Sequence, residues 1–225
     1  MPVTTKPTKK AMWELIDQLR AIAPKRPLTY GESLQLARVQ AARVRDWANA
    51  ATTADINLIW LVDQQAVPVH FVPSHRLNQE SGLTTDYIDN QLQVFINENE
   101  PPLRQRFSLL HEFKHVLDFK DASVLHQQLG CGNEDTQKNL IEAVANDFAA
   151  HVLMPTALVK RLWLKTTNHD VQLMANTFCV SVEAMSYRLK KLNLTSDPKP
   201  RPRGYFRRCG LPTLSQPAGL SYLAG

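Results

Sequence analysis

Apolar residues recur at helical spacing from early in the chain. Met12, Ile16 and Leu19 lie three or four apart, and beyond a break at Pro24 and Pro27 the series Leu34, Leu36, Val39, Ala42, Val44 and Trp47 continues, so residues 11–50 predict a helical cap. The pattern then changes. Residues 56–62 form a short apolar run suited to a buried strand, and residues 67–72, marked by Pro68 and Pro73, predict a second. Residues 91–97 alternate, with Leu92, Val94 and Ile96 on one face and Gln91, Gln93, Phe95 and Asn97 on the other, which predicts a half-buried strand at an edge.

Pro101 and Pro102 close the strand region, and helical periodicity returns over residues 103–119 and 136–153, with Gly130, Cys131 and Gly132 between them and Pro155 after them. Two shorter helices are expected at 157–166 and 170–178, and Ser181 opens a third. From residue 195 onward Pro, Arg and Gly dominate and no period survives. The chain therefore divides into a flexible basic start (1–10), a body (11–155), a helical segment (156–195) and a mobile Arg/Pro-rich tail (196–225).

Composition narrows the class of protein. With 225 residues, 44% of them hydrophobic and 21% charged, the chain is long enough for a substantial core and is neither disordered throughout nor membrane-embedded. Its longest apolar run, Leu58 to Val62, is far short of the roughly 20 residues a membrane helix needs. Glu14, Asp17 and Arg20 interrupt the N-terminal region where a signal peptide would be apolar, so no export signal is read and a cytoplasmic location is expected. The three cysteines, Cys131, Cys179 and Cys209, show no CxxC spacing and read as reduced thiols. The formal charge of +5 is a property of the ends: residues 1–12 carry +3 and residues 197–225 carry +4, which leaves −2 for the body. That distribution attracts polyanions loosely but marks no folded nucleic-acid groove.

The candidate chemistry lies in the helix over 103–119. His111, Glu112, Phe113, Lys114 and His115 spell HExxH. Four residues of helix return the second histidine to within about 40° of the first and about 6 Å further along the axis, so both imidazoles can close on one metal ion. Glu112, rotated by about 100°, flanks such an ion and takes the general-base position. A third ligand is needed. Asp121 stands where an HExxHxxGxxH pattern would place it, but Asp118 replaces the glycine of the turn. His126, Glu134 and Asp135 lie in or beside the connector, without a rigid scaffold. Glu142 is the better candidate: it borders the apolar stripe of Ile141, Ala145, Phe148 and Val152, and Asn146, one turn on, can orient a ligand by hydrogen bonding. His151 lies half a turn out of phase with Glu142 and faces away.

RFSLLHEFKHVL followed by EAVANDFAAHVLMP resembles the ImmA/IrrE family of metallopeptidases, and the resemblance extends over about residues 50–195. It implies an α+β fold: a zincin-like core with a small mixed or antiparallel sheet packed on the HExxH helix and a second ligand helix, N-terminal helices, and a C-terminal helix-turn-helix-like segment. It also implies His111, His115 and Glu142 as metal ligands, Glu112 as the catalytic base and Asn146 behind them. The implied cofactor is Zn2+, with Mn2+ the alternative. The implied activity is zinc-dependent peptide hydrolysis of a regulatory kind, with a helix-turn-helix transcriptional repressor of a mobile element or stress regulon as protein substrate. Lys114 stands where members often carry glycine, and the basic ends have no counterpart. The alternative is a DNA- or repressor-binding, antitoxin-like regulator without proteolysis. Tyr187, Arg188, Lys190 and Lys191 would form its recognition helix, although the charge of the body makes direct DNA binding the less expected outcome.

Overall fold

A computed structural model describes residues 7–64, 66–77, 80–87, 91–166 and 169–194. Residues 1–6 of the basic start expected at 1–10 and the Arg/Pro-rich tail lie outside the described residues, whereas Lys9 and Lys10 of that start open a helix. The fold is mixed α+β and mostly helical, with a three-stranded mixed sheet. Two helices begin it, α1 (Lys9–Ala21) and α2 (Tyr30–Trp47), each with a polar cap. Thr8 accepts from the Ala11 N–H, and Thr29 and Glu32 form a reciprocal capping box that satisfies two of the backbone donors left free at a helix start.

The strand expected at 56–62 is instead a loop entering a single helical turn, α3 (Ile59–Val62). The Asn57 side chain accepts from the Ile59 N–H at 2.9 Å and starts that turn, and Ile56, Leu58, Trp60 and Leu61 are all buried. Burial of the apolar side chains explains the difference, because a short apolar run suits a buried strand and a buried helical turn equally well.

The sheet consists of β1 (Val69–Val72), β2 (Gly82–Tyr87) and β3 (Gln91–Asn97) in the order β1-β3-β2. β3 runs parallel to β1, with Val69 opposite Val94, and antiparallel to β2, with Gly82 opposite Ile96. The strand expected at an edge is therefore the central one. Its alternation held, since Leu92, Val94 and Ile96 are buried, but alternation reports burial of one face and says nothing about neighbours in the plane of the sheet. The true edge facing the chemistry is β2, which has no apolar alternation to betray it.

α4 (Pro102–Asp118) packs against β2 and β3 on one side and against α6 (Glu134–Leu153) on another, while α2 lies along α6. Between α4 and α6 the chain makes 3₁₀ turns and the short α5 (Ala122–Leu125). Edge-on aromatic contacts join Trp47 to Trp60 and Trp60 to Phe113, and Phe113 in turn reaches Phe148 of α6. One continuous core results. α7 (Thr156–Lys165), α8 (Val171–Phe178) and α9 (Val182–Lys191) follow, with Asp170 and Ser181 capping the last two. Cys179, in the left-handed position after α8, is disulfide-bonded, which corrects the reading of three reduced thiols. Among the described residues no helix is long and apolar enough to cross a membrane.

Buried guanidinium groups hold the helix ends. Arg20 of α1 donates to the carbonyls of Val116 and Leu117 at the end of α4, and Arg45 of α2 donates to Val152 at the end of α6. Arg188 of α9 donates to the Met154 carbonyl and to the Thr156 hydroxyl. That side chain is buried, so it does not belong to an outward recognition face as the DNA-binding alternative requires; Tyr187 remains exposed.

Asp147 of α6 is a further junction. It accepts from Arg38 Nε at 2.9 Å and approaches His151 Nδ1 at 3.3 Å. Burial opposes its ionisation, but the bonds to His151 and Arg38 outweigh that cost and bring its pKa down from 3.8 to about 2. A carboxyl depressed in the folded state stabilises the fold above its unfolded pKa and loses that contribution as pH falls through its folded one. Asp147→Asn should therefore cost about 1–2 kcal/mol near pH 7, water around Arg38 moderating the pair, and the gap to the parent should narrow as pH falls from 4 toward 2. Urea unfolding across that range measures it; a pH-independent difference would remove ionisation as the cause.

Candidate functional site

The last two turns of α4 and the middle of α6 face each other across a cleft of about 910 Å³, with the first residues of β2 forming a third wall. The HExxH spacing sets His111 and His115 on one side of α4, their rings 4.8 Å apart between centroids. Glu142 reaches them from α6. His111 Nε2 lies 2.9 Å from Glu142 Oε2, His115 Nε2 lies 3.5 Å from Glu142 Oε1, and the two Nε2 atoms are 3.1 Å apart. Asn146 completes the group, its Oδ1 lying 3.0 Å from His111 Nδ1. An amide oxygen can only accept, so Nδ1 carries a proton, and Nε2 is the nitrogen turned to Glu142, donating to it when the imidazole is protonated and free to bind a metal ion when it is not.

This donor set suits a divalent transition metal. Donors about 2.0–2.1 Å from a tetrahedral zinc lie roughly 3.3 Å from one another, close to the separations found here. Two imidazoles and one carboxylate are a set that zinc accepts while keeping a position for a reactant. Among the described residues this is the group of His, Cys, Asp and Glu side chains whose ligand atoms all come within 4.8 Å of one another. The electrostatics agree. Hydrogen bonds to His111 and His115 hold the Glu142 carboxyl well below the usual carboxylate range, so it stays ionised. Burial works to lower the His111 pKa, but the bond to Glu142 and the charges of Glu112 and Glu142 raise it overall.

Glu112 points to the opposite side of the cleft, toward the sheet. It is 6% exposed, and Oε2 accepts from Thr84 Oγ1 of β2 at 2.7 Å. Burial pushes its pKa up, against the Thr84 bond and the nearby histidines, which lower it. A carboxylate whose proton affinity is raised in a cleft is suited to accept and return a proton.

The other sequence candidates separate clearly. Asp121 pairs with Lys25 Nζ at 2.8 Å, Glu134 and Asp135 occupy the first turn of α6, and His151 is bound to Asp147. Of the remaining side chains able to donate to a developing oxyanion, His70 stacks on Phe95, His169 stacks on Trp163 and His75 is exposed in a 3₁₀ turn. The Tyr87 side chain lies outside the described residues. His126 alone of these lines the cleft, where its Nε2 lies 3.3 Å from Asp118 Oδ2. Gly82 and Thr84 were not anticipated; only a three-dimensional neighbour of Glu112 could have flagged them.

Asn146 tests the metal reading without touching a ligand. Asn146→Ala should weaken zinc binding about 10- to 100-fold by freeing the His111 ring, as measured by competition with a chromophoric chelator. Unchanged affinity would mean that Asn146 does not orient His111.

The family described as Peptidase_M78, IrrE N-terminal-like domain, matches residues 65–190. No curated protein matches the chain. A solved Mycobacterium tuberculosis transcriptional regulator is similar in fold, with a TM-score of 0.54 and 15% sequence identity across 78% of this chain and 51% of that one, so this chain spans about half of the regulator's length. The family match takes in every element that lines the cleft, and by it the chain belongs to the ImmA/IrrE family of M78 peptidases, a regulatory, metallopeptidase-like group.

Proposed function

We propose that the protein is a zinc-dependent metalloendopeptidase with a zincin-like core, and that its substrate is a regulatory protein of the helix-turn-helix repressor type. The observation that carries this reading is the convergence of His111, His115 and Glu142 on one point, with Glu112 across the same cleft. His111, His115 and Glu142 would hold the ion, Asn146 would fix the His111 ring, and manganese would suit the set less well than zinc. A divalent ion held there supplies a Lewis acid that polarises the scissile carbonyl and acidifies water.

The remaining work falls to the chain itself. Glu112, buried and raised in proton affinity, takes the proton from the attacking water and delivers it to the leaving amine. The substrate would lie extended. The backbone groups of β3 are engaged on both sides, so the strand open to pairing with substrate is the outer edge of β2, whose Gly82, Leu83 and Thr84 line the cleft. A regulatory substrate is favoured by the family, and α7 to α9 would serve as the helix-turn-helix-like part that engages it. The DNA-binding reading is weakened at Arg188, which is committed to Met154 and Thr156.

The decisive measurement compares the zinc-loaded parent with Glu112→Gln on a proteome-derived peptide library, new termini being read by mass spectrometry. The parent should cleave, a chelator should stop it, and Glu112→Gln should bind zinc with the same stoichiometry but turn over at least about 100-fold more slowly. Undiminished turnover in that variant would exclude Glu112 as the base. A parent that binds zinc but also fails to cleave purified helix-turn-helix repressors would favour a binding role.

A further inference from the structure

Gly82 and Thr84 are two residues apart on β2, so they share a face of the strand, and that face meets Glu112. Thr84 Oγ1 lies 2.7 Å from Glu112 Oε2 and 3.2 Å from the Glu112 carbonyl. A hydroxyl has one proton to give, and the nearer, charged carboxylate oxygen is the stronger acceptor. At Gly82 a Cβ would come within 2.8 Å of Glu112 Oε1 and 2.9 Å of its Cγ. The strand thus supplies a grip on one carboxylate oxygen and an empty volume that the rest of the carboxylate fills.

We propose that Thr84 and Gly82 are positioning residues that clamp the Glu112 carboxylate from the edge strand, the hydroxyl engaging Oε2 and the missing side chain making room for Oε1. This rests on the reading of Glu112 as the proton-transfer group. A free glutamate samples several rotamers about its three side-chain torsions, and the clamp removes that freedom before substrate arrives. Oε2 is occupied by Thr84, so Oε1 is the oxygen left for proton transfer. The same strand whose outer edge would pair with substrate therefore sets the position of the base, which couples substrate alignment to proton transfer through one rigid element.

Three substitutions in the full-length chain test the clamp. Thr84→Val keeps the shape and removes the hydroxyl, Thr84→Ser keeps the hydroxyl, and Gly82→Ala fills the space. The Gly82 backbone is outside the left-handed region and the atoms crowded by alanine are the end of a flexible side chain, so Glu112 rather than the strand should give way. On the library peptide cleaved fastest, Thr84→Val and Gly82→Ala should lower kcat about 10- to 100-fold with KM and zinc stoichiometry unchanged, and Thr84→Ser should stay within about threefold of the parent.

The second readout needs no activity. In metal-free crystals Glu112 should occupy one rotamer against Thr84 in the parent and in Thr84→Ser, and leave it in Thr84→Val and Gly82→Ala. Retention of the parent rotamer in Thr84→Val, or a Thr84→Ser variant as slow as Thr84→Val, overturns the clamp. A parent that cleaves nothing while the rotamers change as expected leaves the clamp standing and removes proteolysis instead.

Discussion

Three donor atoms turned toward one point stay together only with a proton or a metal ion between them, so the packing of α4 on α6 must be rigid enough to impose their meeting. His111 and His115 come from one helix and Glu142 from the other, and a slip of one residue in either would rotate a donor by about 100°. The aromatic chain from Trp47 through Trp60 and Phe113 to Phe148 resists that slip, because burial of each large side chain stabilises the packed phase by roughly 1.5–3 kcal/mol and no other phase seats the rings. The motif is therefore only as good as the residues between its histidines and behind its glutamate. Phe113, inside HExxH itself, carries the helix contact on the side away from the chemistry.

The same demand for rigidity explains where the buried charge goes. Arg20, Arg45 and Arg188 end chiefly on backbone carbonyls at the C-terminal ends of α4 and α6, where a helix presents unpaired acceptors and partial negative charge; Arg20 also approaches the Asp17 carboxylate at 3.9 Å. Burial lowers their pKa values, Arg45 to about 10, which still leaves the guanidinium charged at neutral pH. A cation at each end fixes the axial position of both ligand helices from elements outside the pair. The N-terminal helices, which contribute nothing to the cleft wall, thereby help determine the distance between Glu142 and the two imidazoles.

Much of this was legible in the sequence, and the failures share a cause. Helical periods located α1, α2, α4 and α6 because each buries a stripe and leaves the rest wet, and the HExxH and ExxAN spacing named the residues that meet in the cleft. Residues 56–62 deceived because their apolar side chains are nearly all buried, which leaves periodicity little to distinguish a strand from a helical turn. β2 stayed hidden because Gly82 and Thr84 answer to Glu112 on a distant helix rather than to a local pattern, as the Thr84 bond to Glu112 shows. Arg188 looked like a surface cation since basic residues flank it, and only the approach of α9 to the end of α6 turns it inward. Local period is legible from one chain; contacts between distant segments, and the direction of a long polar side chain, depend on packing that periodicity does not encode.

Lys114 shows how a charge inside the motif helix is accommodated. Glycine at this place would leave the helix thin, whereas lysine, only 1% exposed, must bring a charge inside. Its ammonium pairs with Asp118 one turn later, and Asp118 in turn lies 3.3 Å from His126 Nε2. Burial disfavours the Asp118 carboxylate, but Lys114 and His126 more than offset this and hold its pKa below the ordinary value. A buried pair of this kind adds little net stability over an apolar replacement, yet loss of one partner strands the other at a cost of about 3–5 kcal/mol. Lys114 and Asp118 are therefore tied to each other in sequence. The pair also reaches the cleft, because Asp118 and His126 line it just beyond the histidines. Lys114, through Asp118 and His126, thereby bears on the polarity of one end of the cleft without touching the three ligand candidates.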